Sequence, residues 1–181
     1  MKTGNNVRII YPEAALVGVS LTDSTRQYLL RVGLPALSIL PLGENFVPFA
    51  TEDGDESAGP ASGGHSFLEH WRGTKYRLLG YINYESYFNQ RDFFAILEEG
   101  DAIWLLNDSE DVPPLFVNSC ISGFVAALEV YKQFRSKYPE STTVRQVSQL
   151  RRQIRSLDPP SFMSGSFYWP VVIGDIYNIS E

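Results

Sequence analysis

The sequence predicts an α+β domain, a largely antiparallel sheet with helices packed on one face, formed by residues 1–181 as a single unit. Three observations predict it. Between positions 75 and 107, short apolar runs are separated by turn residues, as in a meander of strands. Between 121 and 157, apolar residues recur every three or four positions, which is the helical period. Hydrophobic residues make up 44% of the 181 and charged residues 20%. A chain of this length can bury roughly 70% of its unfolded surface without a disulfide or metal staple.

The first element is a short helix between Thr22 and Gly33. Thr22, Asp23 or Ser24 can accept from the unpaired N–H groups of its first turn. Gly33 and Pro35 stop it, because glycine tolerates the left-handed closing conformation and proline cannot continue the hydrogen bonding. The stretches 38–41 and 46–49, punctuated by Pro41 and Pro48, read as extended chain of sheet-edge type. Residues 51–66 hold no large apolar side chain. That acidic segment cannot offset the entropy of ordering its backbone, so a flexible loop within the domain is expected. Strands follow over 75–83, 93–98 and 102–107, with Glu99-Gly100-Asp101 as a hairpin turn.

After Pro113-Pro114, a short strand over 115–117 leads to Asn118 and Ser119, either of which can cap the next helix. That helix ends near Tyr138-Pro139 and buries Ile121, Phe124, Val125, Leu128 and Tyr131. A second helix follows Ser141-Thr142-Thr143, with Val144, Val147, Leu150, Ile154 and Leu157 on its buried side. Arg145, Arg151, Arg152 and Arg155 make its other face basic. Pro159-Pro160 breaks the chain, and a terminal helix with Pro170 in its first turn buries Trp169, Val172, Ile173 and Ile176.

Fifteen Lys and Arg against 21 Asp and Glu give a net charge of -6. That balance argues against a sequence-independent nucleic-acid binder, which needs clustered cations to neutralise phosphates. The longest apolar runs are too short for a transmembrane helix. Cys120, the single cysteine, cannot form an internal disulfide, and the start of the chain carries no apolar core of signal-peptide length. A reducing cytoplasm is the expected location.

Catalytic chemistry finds little support. His65 and His70 are five residues apart, the wrong helical spacing for a shared metal ion. Cys120 has no histidine near it in sequence to activate it, and reads as a small buried residue of a helix's first turn. The Gly-x-Ser-x-Gly, Gly-x-Gly-x-x-Gly and phosphate-loop patterns are absent. No catalytic set, metal site or cofactor is therefore expected. Carboxylates gather in three places: Glu52, Asp53, Asp55 and Glu56; Glu98, Glu99 and Asp101; and Asp108, Glu110 and Asp111. Such groups are commonly solvated loops; the sharper reading is that all three surround one rim of the sheet and face a basic partner. The stretch from Tyr81 to Phe88 mixes tyrosines with an acid, which suits a contact surface and cross-strand packing equally well.

Five features occur in a particular order: a helix ending in Gly33-Leu34-Pro35, the strand Tyr76-Arg77-Leu78-Leu79-Gly80, the hairpin at Gly100-Asp101, Phe116-Val117-Asn118-Ser119 opening a helix, and Leu157-Asp158-Pro159 followed by Trp169. Over roughly residues 20–177 this set resembles the SUKH superfamily of bacterial immunity proteins, its fourth subfamily in particular. The resemblance implies that superfamily's α+β fold and a non-enzymatic antitoxin encoded beside a polymorphic toxin. It implies a cytoplasmic protein that binds a cognate protein toxin, a nuclease or nucleic-acid deaminase with a basic active-site surface, and blocks that site. No direct contact with nucleic acid or membrane follows from it. Cys120 departs from the pattern, standing where a second small polar residue is expected, and the insert at 51–66 is longer than the family needs. For such a partner, Glu52, Asp53, Asp55, Glu56, Asp108, Glu110 and Asp111 would supply charge, and Tyr84, Tyr87 and Phe88 apolar anchoring. Two other readings compete: a non-enzymatic protein-binding module of a regulatory assembly, and an enzyme acting through Cys120 or the carboxylates. A toxin gene next to this one separates the first from immunity, and rapid alkylation of Cys120 would support the second.

Overall fold

A computed structural model of the chain describes residues 8–18, 20–35, 38–39, 45–48, 68–71, 73–83, 91–98, 100–107, 111–139, 142–166 and 168–178. The expected loop at 51–66 lies outside them.

The first helix, α1 (Asp23–Arg31), is capped by Thr22, whose side chain accepts from Thr25 N at 3.3 Å. It closes at Gly33, which has φ +70 and donates its N–H to Tyr28 O at 2.9 Å. A Cβ at this position would lie 2.2 Å from Ile9 O. Only glycine lets the chain of β1 (Arg8–Ile9) pass this closely, and β1 pairs there with β2 (Leu34–Pro35) in a small antiparallel sheet.

The main sheet is antiparallel throughout. Its strands are β3 (Ser38–Ile39), β4 (Asn45–Pro48), β5 (Leu68–Trp71), β6 (Thr74–Asn83), β7 (Arg91–Leu97), β8 (Ile103–Asn107) and β9 (Leu115–Asn118). The order is β3-β4-β6-β7-β8-β9, and β5 pairs the first half of β6 while β4 pairs its second half. The expected edge character holds for β3. It fails for β4, which lies one strand in, with its proline at the last position, opposite Gly80.

The sheet alternates between two apolar faces. On one, Leu79, Ile82, Phe94, Ile96, Ile103 and Val117 pack against α2 (Ile121–Lys137), α3 (Val144–Leu157) and α4 (Tyr168–Asn178) in one cluster that runs from Tyr11 to Ile176. Phe94 sits at its centre, with ring centroids 4.8 Å from Phe124 and 5.6 Å from Tyr168. The helical stripe expected for α2 is buried as predicted, and so is that of α4. On the other face, Tyr76, Leu78, Phe93, Ala95 and Leu106 form a second buried cluster, with Tyr81, Leu97 and Trp104 against it.

α3 starts on a capping box, in which the Thr143 side chain accepts from Gln146 N and the Gln146 side chain accepts from Thr143 N. Val147, Leu150 and Ile154 are buried as expected. Val144 and Leu157 are not: they are 67% and 44% exposed. They are the first and last residues of the helix, and its neighbours cover only the middle turns.

Candidate partner-binding surface

A polar node joins the end of α3 and the start of α4 to the end of β9. Asn118, fully buried at the end of β9, accepts from Trp169 Nε1 at 3.0 Å and donates through Nδ2 to Asp158 Oδ2 at 2.7 Å. Asp158 also accepts from Ser119 N at 2.7 Å and from Ser119 Oγ at 2.6 Å. A shift of register between Ile103 and Trp104 in the β8–β9 pairing re-aims the end of β9 at this point. The expectation that Asn118 or Ser119 caps α2 is thereby overturned. Cys120 occupies the cap position with extended backbone and no side-chain hydrogen bond to the helix, because both neighbours are drawn to the carboxylate of Asp158. Cys120 itself is partly exposed rather than buried, its Sγ 3.3 Å from Ser122 Oγ.

The role of Asp158 had a signal in the sequence. An acid directly after a helix's last residue lies at the negative end of the helix dipole, where it is unfavourable. Such a residue needs another reason to be there, and the node supplies it.

The sheet register fixes where the connecting segments leave. The pairs Asn45 with Asn83, Asn83 with Arg91, Asp92 with Asn107, and Leu105 with Leu115 all lie at one end. From those strand ends depart the segment that holds Tyr84, Tyr87 and Phe88 and the one that holds Asp108, Glu110 and Asp111. Asp111 is exposed in the turn before β9. Glu52, Asp53, Asp55, Glu56, Tyr84, Tyr87, Phe88, Asp108 and Glu110 lie outside the described residues. Asp92, a carboxylate at this same end, is buried and accepts from Asn107 Nδ2 at 2.6 Å, so it belongs to the scaffold.

Glu98 and Asp101, the described members of the acidic group at 98–101, do not share that rim; Glu99 lies outside the described residues. The β7–β8 turn sits at the opposite end of β7, a strand of seven residues, roughly 20 Å away at about 3.3 Å per residue. There Asp101 accepts from both Thr22 Oγ1 and Thr25 Oγ1, which clamps the start of α1, and Glu98 pairs with Lys75 at 3.5 Å. Asp101 thereby ties the start of α1 to the sheet. The reading of one shared acidic rim therefore fails for Glu98 and Asp101, whose partners are up to 79 residues away.

Of the aromatic stretch, Tyr81 lies opposite Phe93 and packs in the second cluster, which is the cross-strand reading. Beside it, Trp104 and Phe116 meet edge to face at 5.5 Å. Among the described residues no group of three or more His, Cys, Asp or Glu could hold a metal ion, and no helix is long and apolar enough to cross a membrane. His70 falls on β5 opposite Lys75, and His65 lies outside the described residues.

The positive charge has its own place. Seven of the 15 Lys and Arg but only two of the 21 Asp and Glu fall within 121–157, leaving eight cations against 19 acids elsewhere. α3 contributes Arg145, Arg151, Arg152 and Arg155, all exposed, and no acid at all.

Comparison with known proteins gives one result. The sequence model of the SUKH-4 immunity protein family matches residues 4–175, nearly the whole chain. No curated protein and no solved structure matches.

Proposed function

The chain belongs to the SUKH-4 immunity protein family, and from that premise we propose that it binds a cognate bacterial toxin and neutralises it by blocking its active site. The family match carries the immunity role. The finer reading is that the toxin belongs to a polymorphic toxin system, that it is a nuclease or nucleic-acid deaminase, and that its active-site surface is basic. The protein then acts in the cytoplasm as a single domain over 1–181, without catalysis or cofactor, by placing carboxylates where phosphates would lie.

The contact residues of this proposal are Glu52, Asp53, Asp55, Glu56, Asp108, Glu110 and Asp111 for charge, and Tyr84, Tyr87 and Phe88 for apolar anchoring. Two observations support it. The strand ends flanking the acidic segment at 108–111 and the aromatic segment at 84–88 lie together at one end of the sheet. Asp92, Asp101 and Asp158, which this set leaves out, accept hydrogen bonds within the scaffold.

Charge reversal tests the electrostatic half. Replacing Glu52, Asp53, Asp55 and Glu56 by Lys, and separately Asp108, Glu110 and Asp111, should slow association with the toxin encoded by the neighbouring gene by about tenfold or more at low salt. The dependence of the rate on salt should flatten as well. Unchanged rates and an unchanged salt dependence would overturn the proposed contact set.

A further inference from the structure

We propose that the outer face of α3 is a second docking surface, one that takes an acidic protein surface. At 100° per residue, Arg145, Arg151, Arg152 and Arg155 fall within roughly 120° of arc, and Arg145 and Arg155 are about 15 Å apart along the axis. All four are exposed, and among the described residues none of them makes an ion pair. Val144, 67% exposed, lies between the rows of Arg151 and Arg155.

The stability of the helix accounts for Arg155, a cation in the last turn, but not for the arrangement of all four. Arg151 and Arg155 are four residues apart and Arg152 and Arg155 three, so they repel across adjacent turns where an acid would attract. Arg145 stands in the first turn, at the positive end of the helix dipole. A face that only needed to stay solvated would mix both signs of charge, as protein surfaces ordinarily do. Here the sign is uniform on an otherwise acidic molecule, and the net charge of -6 conceals it.

The chemistry of the face selects the partner. All four cations are arginines, the type enriched in protein interfaces, where lysine is depleted, and the planar guanidinium matches a carboxylate through two parallel hydrogen bonds. Arg151 is already steadied over the Phe162 ring at 5.8 Å. An exposed valine among them suits the apolar centre of a protein contact better than a phosphate backbone. The surplus of acid on the rest of the chain repels a long polyanion, while a compact acidic patch can meet the face alone.

Fluorescence anisotropy with a labelled peptide of repeating Glu-Glu-Tyr, and with an oligo(dT) of equal charge, tests the proposal. The wild-type chain should bind the peptide more tightly than the oligonucleotide. The triple variant R145Q/R152Q/R155Q should bind the peptide about tenfold more weakly, with a urea midpoint no lower than wild type. If that variant fails to fold, R145K/R152K/R155K, which keeps the charge and loses the planar fork, should still weaken peptide binding by about threefold. Equal peptide binding by the folded variant, no peptide binding by the wild type at low salt, or tighter binding of the oligonucleotide would each overturn it.

Discussion

Asp158→Ala should be among the most destabilising single changes in the helical layer. The side chain is 3% exposed and accepts three hydrogen bonds of 2.6 to 2.7 Å. Its removal leaves Asn118 Nδ2 buried without an acceptor, and a charge-assisted bond of that kind contributes about 1.5–3 kcal/mol. The two bonds from Ser119 are only partly buried, so water can replace them, and each adds roughly 0.5–1 kcal/mol. The total expected loss is about 2.5–5 kcal/mol, a large share of the roughly 5–15 kcal/mol typical of a domain. In urea unfolding followed by far-UV circular dichroism, with a slope near 2 kcal/mol/M, the midpoint should fall by about 1.2–2.5 M. A double-mutant cycle isolates the contact: Ser119→Ala should cost about 1 kcal/mol alone and almost nothing in the Asp158→Ala background. A loss below about 1 kcal/mol for Asp158→Ala, or strict additivity in the cycle, would refute the node as a structural joint.

Two further expectations concern glycines and a buried phenol. Gly33→Ala should cost about 2 kcal/mol or more in the same assay, because its φ of +70 and the 2.2 Å approach to Ile9 O both exclude a side chain. Gly123→Ala, whose Cβ would meet Cys120 Sγ at an ordinary 3.5 Å, should be neutral or stabilise α2 by up to about 1 kcal/mol; the reverse ranking would contradict the packing described. Burial raises the Tyr11 pKa above its usual value, against an opposing influence from Arg77. The contribution of this group to stability should therefore be constant below about pH 9 and fall above about pH 10, where the unfolded chain releases a proton that the folded chain keeps, with a slope of up to about 1.4 kcal/mol per pH unit. Tyr11→Phe loses the bond to Leu79 O, about 1 kcal/mol at neutral pH, and should make the alkaline fall shallower; an unchanged slope would remove Tyr11 from the account.

Local rules found the elements and missed the joints. The cap at Thr22, the stop at Gly33, the start of α3 after Thr143 and the buried stripes of α2 and α4 depend on residues within a few positions of one another, and a pattern of that range is visible in the chain. The same local logic makes Asn118 and Ser119 caps. In the fold they turn to a carboxylate 40 and 39 residues on, since a charged acceptor outcompetes the neutral capping bond. Asp101 was read as surface charge for the same reason, its hydroxyl partners on α1 being out of sight. The motifs that resemble the family, Gly33, Asp101, Asn118-Ser119, Asp158 and Trp169, thus mark the scaffold. Partner choice on this account falls to the connecting segments, whose sequence carries charge and aromatic rings but no packing pattern.

The central claim is immunity, and growth measures it most directly. The toxin gene adjacent to this one is expressed from an inducible promoter with and without the full chain. Growth should be abolished by the toxin alone and restored by co-expression, with the two proteins co-purifying. Toxicity unaffected by this protein would contradict the account for that pair.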